Sequence, residues 1–291
     1  MHVHSRTLSA NGIITIAIAL LLICACRENK QEPPLKPDGS KWRVAYVEGG
    51  QWRNYHELFC GLVWGLKEKG YFAEDALEMK VTDCPESEEL WDQLVETQPS
   101  PYLHFLKDGY YSAEWMDEKR AKIKSELTRR LQNGEVDLLL AMGTWSGVDF
   151  ATTDHSVPTM ALSASEPVTA GIVKGDKYSG IPHVHATHDP TRYLRQIRSF
   201  HEIVQFDSIG VVFEDTPEGR SWSNIEALES LGEELNFELR KTTTLDTNVP
   251  EAEKVRMLKA GYARLAPEVD AFWLGSLSGE APRYLPDVIE P

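Results

Sequence analysis

The sequence is poor in the features that identify most enzymes. It has no G-x-S-x-G elbow, no H-E-x-x-H pair, no P-loop and no glycine-rich dinucleotide fingerprint. Asp154-His155-Ser156 holds the residue types of a catalytic triad, but adjacent residues cannot fold onto one reacting centre. An enzyme is therefore not expected, and no cofactor is implied. Positive charge is also scarce. Lys and Arg number 30 against 45 Asp and Glu, a formal net charge of −15. Nucleic-acid binding rests on neutralising phosphates with basic side chains, so a nucleic-acid partner is not expected. A long apolar run is missing as well. Ile13 to Ala25 is too short for a spanning helix, which needs about 20 residues.

That short run fits the h-region of an export signal, with Arg6 ahead of it. It closes on Ile23-Cys24-Ala25-Cys26, which resembles the bacterial lipobox, with Cys26 as the residue whose thiolate takes the lipid. The expectation is a signal peptide over 1–25 and a lipid anchor to a membrane at Cys26. The polar, proline-bearing stretch RENKQEPPLKPDGS follows, and 26–40 reads as a flexible linker. Fully extended it reaches roughly 45 Å. Cysteine is sparse too, and beyond the lipobox only Cys60 and Cys84 remain. Export would allow them to oxidise, but sequence fixes no distance between them. Two separate thiols is the reading adopted.

From Trp42 the hydrophobic pattern alternates between short apolar runs and helical stripes. Strands are predicted at 44–47, 76–82, 136–142, 157–162 and 178–184, with a long and mostly helical stretch between the second and third. A stripe of Leu58, Phe59, Leu62, Val63 and Leu66 marks the first helix. The pattern then restarts. Asp189-Pro190 reads as a helix start, Ser223-Asn224-Ile225-Glu226 as a capping box, and strands are predicted at 209–213, 237–243 and 269–274. Each half runs strand, helix, strand, helix, strand. The fold class expected is α/β: two Rossmann-like lobes with parallel sheets and an interlobe cleft, lobe one over 41–185 and lobe two over 186–291. Ligands in such sheets sit beyond the carboxyl ends of the strands, near helix N-termini.

Several local motifs are similar to one known family. Gly61-Leu62-Val63-Trp64-Gly65-Leu66-Lys67-Glu68-Lys69-Gly70-Tyr71 resembles its G-F-x-x-G-L-x-x-x-G-Y helix, and Val136 to Thr144 its V-D-L-I-V-A-x-G-T strand. Glu166 to Val173 resembles D-P-V-x-A-G-L-V, and Ile209 to Phe213 resembles I-G-V-L-Y. Taken in order, they resemble the ABC-transporter substrate-binding proteins related to the tryptophan- and tyrosine-binding lipoproteins. The resemblance implies a type I periplasmic-binding-protein fold and a small-molecule solute, with an amino acid as the expectation. An ABC permease and ATPase are the implied partners. The chain departs in Glu166, in a longer 96–125 stretch, and in ending at Pro291, which makes lobe two look incomplete. A ligand-binding sensor module, or a lipoprotein that no longer binds solute, would keep the same fold.

Candidate ligand residues follow predicted strands. Trp52, Trp145 and Trp222 can stack on a flat ligand or simply pack against loops. Thr144, Ser146 and Ser221 can offer hydroxyls to a carboxylate or act as helix caps. Glu166 can meet an ammonium and Arg220 a carboxylate, or either can be a solvated loop charge. His183, His185 and His188 have the look of a metal site, but no carboxylate or cysteine is spaced to complete it, and no metal is assigned.

Overall fold

In the computed structural model, residues 33–73, 84–280 and 284–289 are described, and those from Leu35 onward belong to one unit. The export signal, Cys26 and the tether as far as residue 32 lie outside the described residues, as does the strand predicted at 76–82. Among the described residues no helix is long and apolar enough to cross a membrane. Lys36, in the stretch read as tether, pairs with Asp137 at 3.1 Å.

The first sheet holds β1 (Trp42–Glu48), β2 (Leu103–Ser112), β3 (Leu138–Met142), β4 (Thr159–Leu162) and β5 (Val184–Ala186). Its order is β2-β1-β3-β4-β5 and every pairing is parallel. The second holds β6 (Ser208–Glu214), β7 (Glu238–Thr244) and β8 (Ala271–Trp273) in the order β7-β6-β8, again parallel. Parallel sheets are covered on both faces, so their strands read as unbroken apolar runs. On β1, Val44 and Tyr46 face α1 (Arg53–Glu68) and α2 (Ser87–Thr97), packing with Phe59, Val63, Leu90 and Trp91. Ala45 and Val47 face the other way, toward Leu127 and Leu131 of α3 (Asp117–Gln132) and Phe150 at the end of α4 (Gly143–Phe150). The two-residue period of a strand makes this division.

The second sheet is built alike. Ile209, Val211 and Phe213 pack with Ile197 of α5 (Arg192–Val204) and with Ile225, Leu228 and Leu231 of α7 (Ile225–Leu235). Val212 packs on the opposite face with Leu258, Tyr262 and Leu265 of α8 (Glu251–Leu265). The short α6 (Pro217–Trp222) carries Trp222 into that cluster, where it meets Trp145 of the first lobe. The chain thus has two parallel α/β lobes, the fold class expected from the sequence.

Five local expectations are corrected. The edge strand beside β1 lies within the stretch read as mostly helical, with α2 and α3 flanking it. Leu103 and Phe105 point inward and His104 outward, but the register jumps between Phe105 and Tyr110, so the period is broken. The fifth strand starts at Val184, where it was expected to end. Thr191, and not Asp189, precedes the α5 helix; the Asp189 carboxylate instead takes Arg195. The capping box does not form: Asn224 is the N-cap in a left-handed conformation, and Glu226 turns to Arg220. Cys60 and Cys84 form a disulfide, with Cα atoms 6.2 Å apart, contrary to the reading as separate thiols. It ties α1 to the approach to α2.

Candidate functional site

A cleft of about 240 Å³ opens at the carboxyl ends of the strands. The junction of β1 with α1 supplies Trp52, Asn54 and Tyr55, and the first turn of α4, directly after β3, supplies Thr144. The turn after β4 supplies Ser163, Ala164 and Ser165. Arg192, Tyr193 and Gln196 come from the start of α5, Trp222 and Asn224 from the α6–α7 junction, and Trp273 to Ser276 from the end of β8. Parallel topology makes this convergence, because each strand hands the chain to a helix at the same edge of its sheet. Four helices, α1, α4, α5 and α7, begin here. The N-terminal turn of each carries partial positive charge and unmet backbone N–H groups. The first turns of α1, α4 and α5 hold no Asp or Glu, and Glu226 in that of α7 is held by Arg220 at 2.8 Å.

Thr144 is buried, and its hydroxyl accepts from the Ser165 amide at 3.4 Å. Gly143 before it sits at φ 83°, and a side chain there would run into the Tyr55 hydroxyl. That turn is therefore reserved for glycine. Burial pushes the Tyr55 hydroxyl well above the ordinary phenol range, with the Glu48 charge adding to it, so it presents an O–H donor. Trp222 is 6% exposed, and among the described residues its Nε1 has no hydrogen-bond partner; the half-buried Trp273 Nε1 has none there either. A buried polar group left unpaired costs about 1–3 kcal/mol, and such groups point to a missing acceptor.

Trp115 shapes the site. Its ring packs edge-on to Trp145 and Trp222, with centroids 5.6 and 6.1 Å away, and lies over Gly49 and Gly50, where any Cβ would collide with it. Beyond Trp115 and Trp52 lies a second, wider groove of about 990 Å³. Glu86, Glu88, Glu114 and Glu251 line it, with Arg53, His56 and Lys254. The two tryptophans line both spaces and divide them.

Of the residues singled out in the sequence, Trp52, Thr144 and Trp222 line the inner cleft. Trp145 and Ser146 sit behind it, around a void of about 10 Å³ with Asp149 and Arg120. Arg120 stacks on Trp145 at 4.4 Å, binds Asp149 at 2.7 Å, and reaches Glu218 of the second lobe at 3.4 Å. Ser221 is buried outside the lining, its hydroxyl unpartnered among the described residues. Glu166 is half-buried outside the lining; burial raises its carboxyl, opposed by His188. Arg220 is occupied by Asp215, Glu226 and Glu229. The three histidines do not converge: His183 meets the His155 ring, His185 is exposed, and His188 pairs with Asp176. Among the described residues no group of three His, Cys, Asp or Glu could hold a metal. The sequence reading missed Tyr55, Trp115, Arg192 and Trp273. Arg192-Tyr193 at a helix start after a strand was a usable signal. Trp115 gave none, since no periodic pattern links it to residues 30 and 107 positions away.

No family model and no curated protein matches the chain. Solved structures do. A conserved domain protein from Vibrio cholerae is 19% identical with a TM-score of 0.55, covering 80% of this chain and 64% of that one. The ABC domain in complex with L-Trp from Streptococcus pneumoniae is 15% identical with a TM-score of 0.53, again covering 80% and 64%. The chain thus spans about two thirds of the length of these structures, and the likeness establishes the fold: a type I periplasmic-binding-protein-like arrangement of two α/β lobes.

Proposed function

We propose that this chain is the extracytoplasmic solute-binding component of an ABC importer, anchored by lipid at Cys26 and working with a permease and an ATPase. It binds and does not catalyse. The observation that carries the reading is the inner cleft: four helix N-termini converge on it, and two indole N–H groups beside it lack acceptors among the described residues. A small solute with a carboxylate and a flat or apolar body fits. The carboxylate would take the backbone and side-chain donors around Thr144, and the body would lie among Trp52, Trp222 and Trp273. Contacts from both lobes give the ligand differential affinity for a closed arrangement. The sequence-based expectation of an amino acid, and the L-Trp held by the pneumococcal structure, set the first solutes to test.

Isothermal calorimetry on the purified protein against amino acids, organic acids, sugars and polyamines tests the reading. Saturable binding that Trp222→Ala abolishes is the expected result. Silence across the whole panel sinks it in favour of a lipoprotein that has lost its solute. Cys26→Ser is expected to abolish lipid labelling, and normal acylation of that variant would refute the anchor.

A further inference from the structure

Building on the solute-binding reading, we propose that the inner cleft selects a ring-bearing monocarboxylic acid without an α-ammonium group, and discriminates against the corresponding amino acid. Carboxylates make up 45 of 291 residues, yet among the described residues none lines this cleft. The exclusion is local. Helices α2, α3 and α8 each carry two acidic residues in the first turn, Glu88 and Glu89, Asp117 and Glu118, Glu251 and Glu253. Their starts line the outer groove, through Glu88, Met116 and Glu251. The starts of α1, α4 and α5, which open on the inner cleft, carry none.

The cationic side chain on the cleft wall is Arg192. It is exposed, makes no ion pair among the described residues, and lies over the Tyr193 ring at 5.3 Å. Trp222 and Trp273 add donors that have no acceptor among the described residues. An anion satisfies every one of these groups. An ammonium satisfies none, and a desolvated cation without a counter-charge is strongly disfavoured. Two buried carboxylates at strand ends are otherwise engaged. Glu48 accepts from the Tyr46 and Tyr110 hydroxyls at 2.8 and 2.9 Å. Glu214 accepts the Asp246 and Thr247 amides through Oε1, leaving Oε2 unpartnered among the described residues, and does not line the cleft.

Calorimetry with matched pairs decides the point: 3-phenylpropionate against L-phenylalanine and indole-3-propionate against L-tryptophan, with the two primary amides of the acids as neutral controls. The acids are expected to bind at least about tenfold more tightly than either the amino acids or the amides, the scale of one charge-assisted contact. Arg192→Gln, at an exposed position that leaves the melting temperature unchanged, is expected to remove most of the acid's advantage over its amide. Trp222→Phe, which keeps a ring and loses the N–H, is expected to weaken the acid severalfold. Amino acids binding as tightly as the acids would overturn the proposal and leave the solute-binding reading standing. If Glu214→Gln then abolished that binding, the ammonium would belong to Glu214. Binding confined to sugars or polyamines would likewise overturn the class alone. Silence of every solute would overturn both readings.

Discussion

The inner cleft and the outer groove share a wall of two tryptophans and differ in charge. Both lie where helices start, so both begin with the same positive backbone potential. Around the groove the sequence cancels it with Glu86, Glu88, Glu114 and Glu251. Around the cleft it does not, and the indole donors there stay unmatched among the described residues. The backbone supplies an anion-attracting end at every such turn, and the side chains decide which of these ends stay available. An acidic protein can in this way keep one cavity receptive to an anion while its surface repels anions in general.

Breaking the wall should have the largest effect. Trp115→Ala removes a ring packed against Trp145, Trp222 and Tyr55 and joins the two spaces. The expected loss is about 3 kcal/mol of stability by urea unfolding, with solute affinity falling at least about tenfold. Unchanged binding would mean that Trp115 does not bound the site.

A pH titration sharpens the comparison next. No carboxylate or imidazole among the described residues lines the cleft, so acid binding is expected to be flat between about pH 5 and 8. Stability is not. Burial pushes the Glu280 carboxyl up to about 8, against hydrogen bonds from Tyr262 and the Leu277 amide that favour its charge. The folded state then holds a proton that the unfolded state releases from its ordinary carboxylate range upward. The stability contributed by this proton is therefore fully present below the ordinary carboxylate range and is lost as pH rises through about 5 to 8. Glu280 ends the turn whose Ser278 lines the groove and bonds Lys254. Melting temperatures across that range should decline for the native protein and flatten in Glu280→Gln.

The smallest effect belongs to the groove's own charges. Glu86→Gln with Glu88→Gln lies beyond the tryptophan wall, in a space open to solvent and salt. Solute affinity should shift by less than about twofold at physiological ionic strength, where charges are screened over about 8 Å. A larger change would show that the two spaces act as one.

Much of the framework was legible in the chain itself. The runs that became β1, β3, β4 and β6, and the stripes of α1, α7 and α8, follow from burial on sheet faces and helix sides, which writes a short period into the sequence. That Trp52 and Thr144 line the cleft follows from their places just after strands, and Trp222 joins them from the end of the short helix that follows β6. Only the tertiary structure decided the edge strand at Leu103–Ser112, whose period is broken by its register jump, and the joining of Cys60 to Cys84. It alone set Trp115 between two lobes, turned Glu226 from a cap into a partner for Arg220, and left Arg192 without an ion pair among the described residues. Each depends on residues brought together across the chain by parallel crossovers, and local periodicity carries no record of such distant pairs.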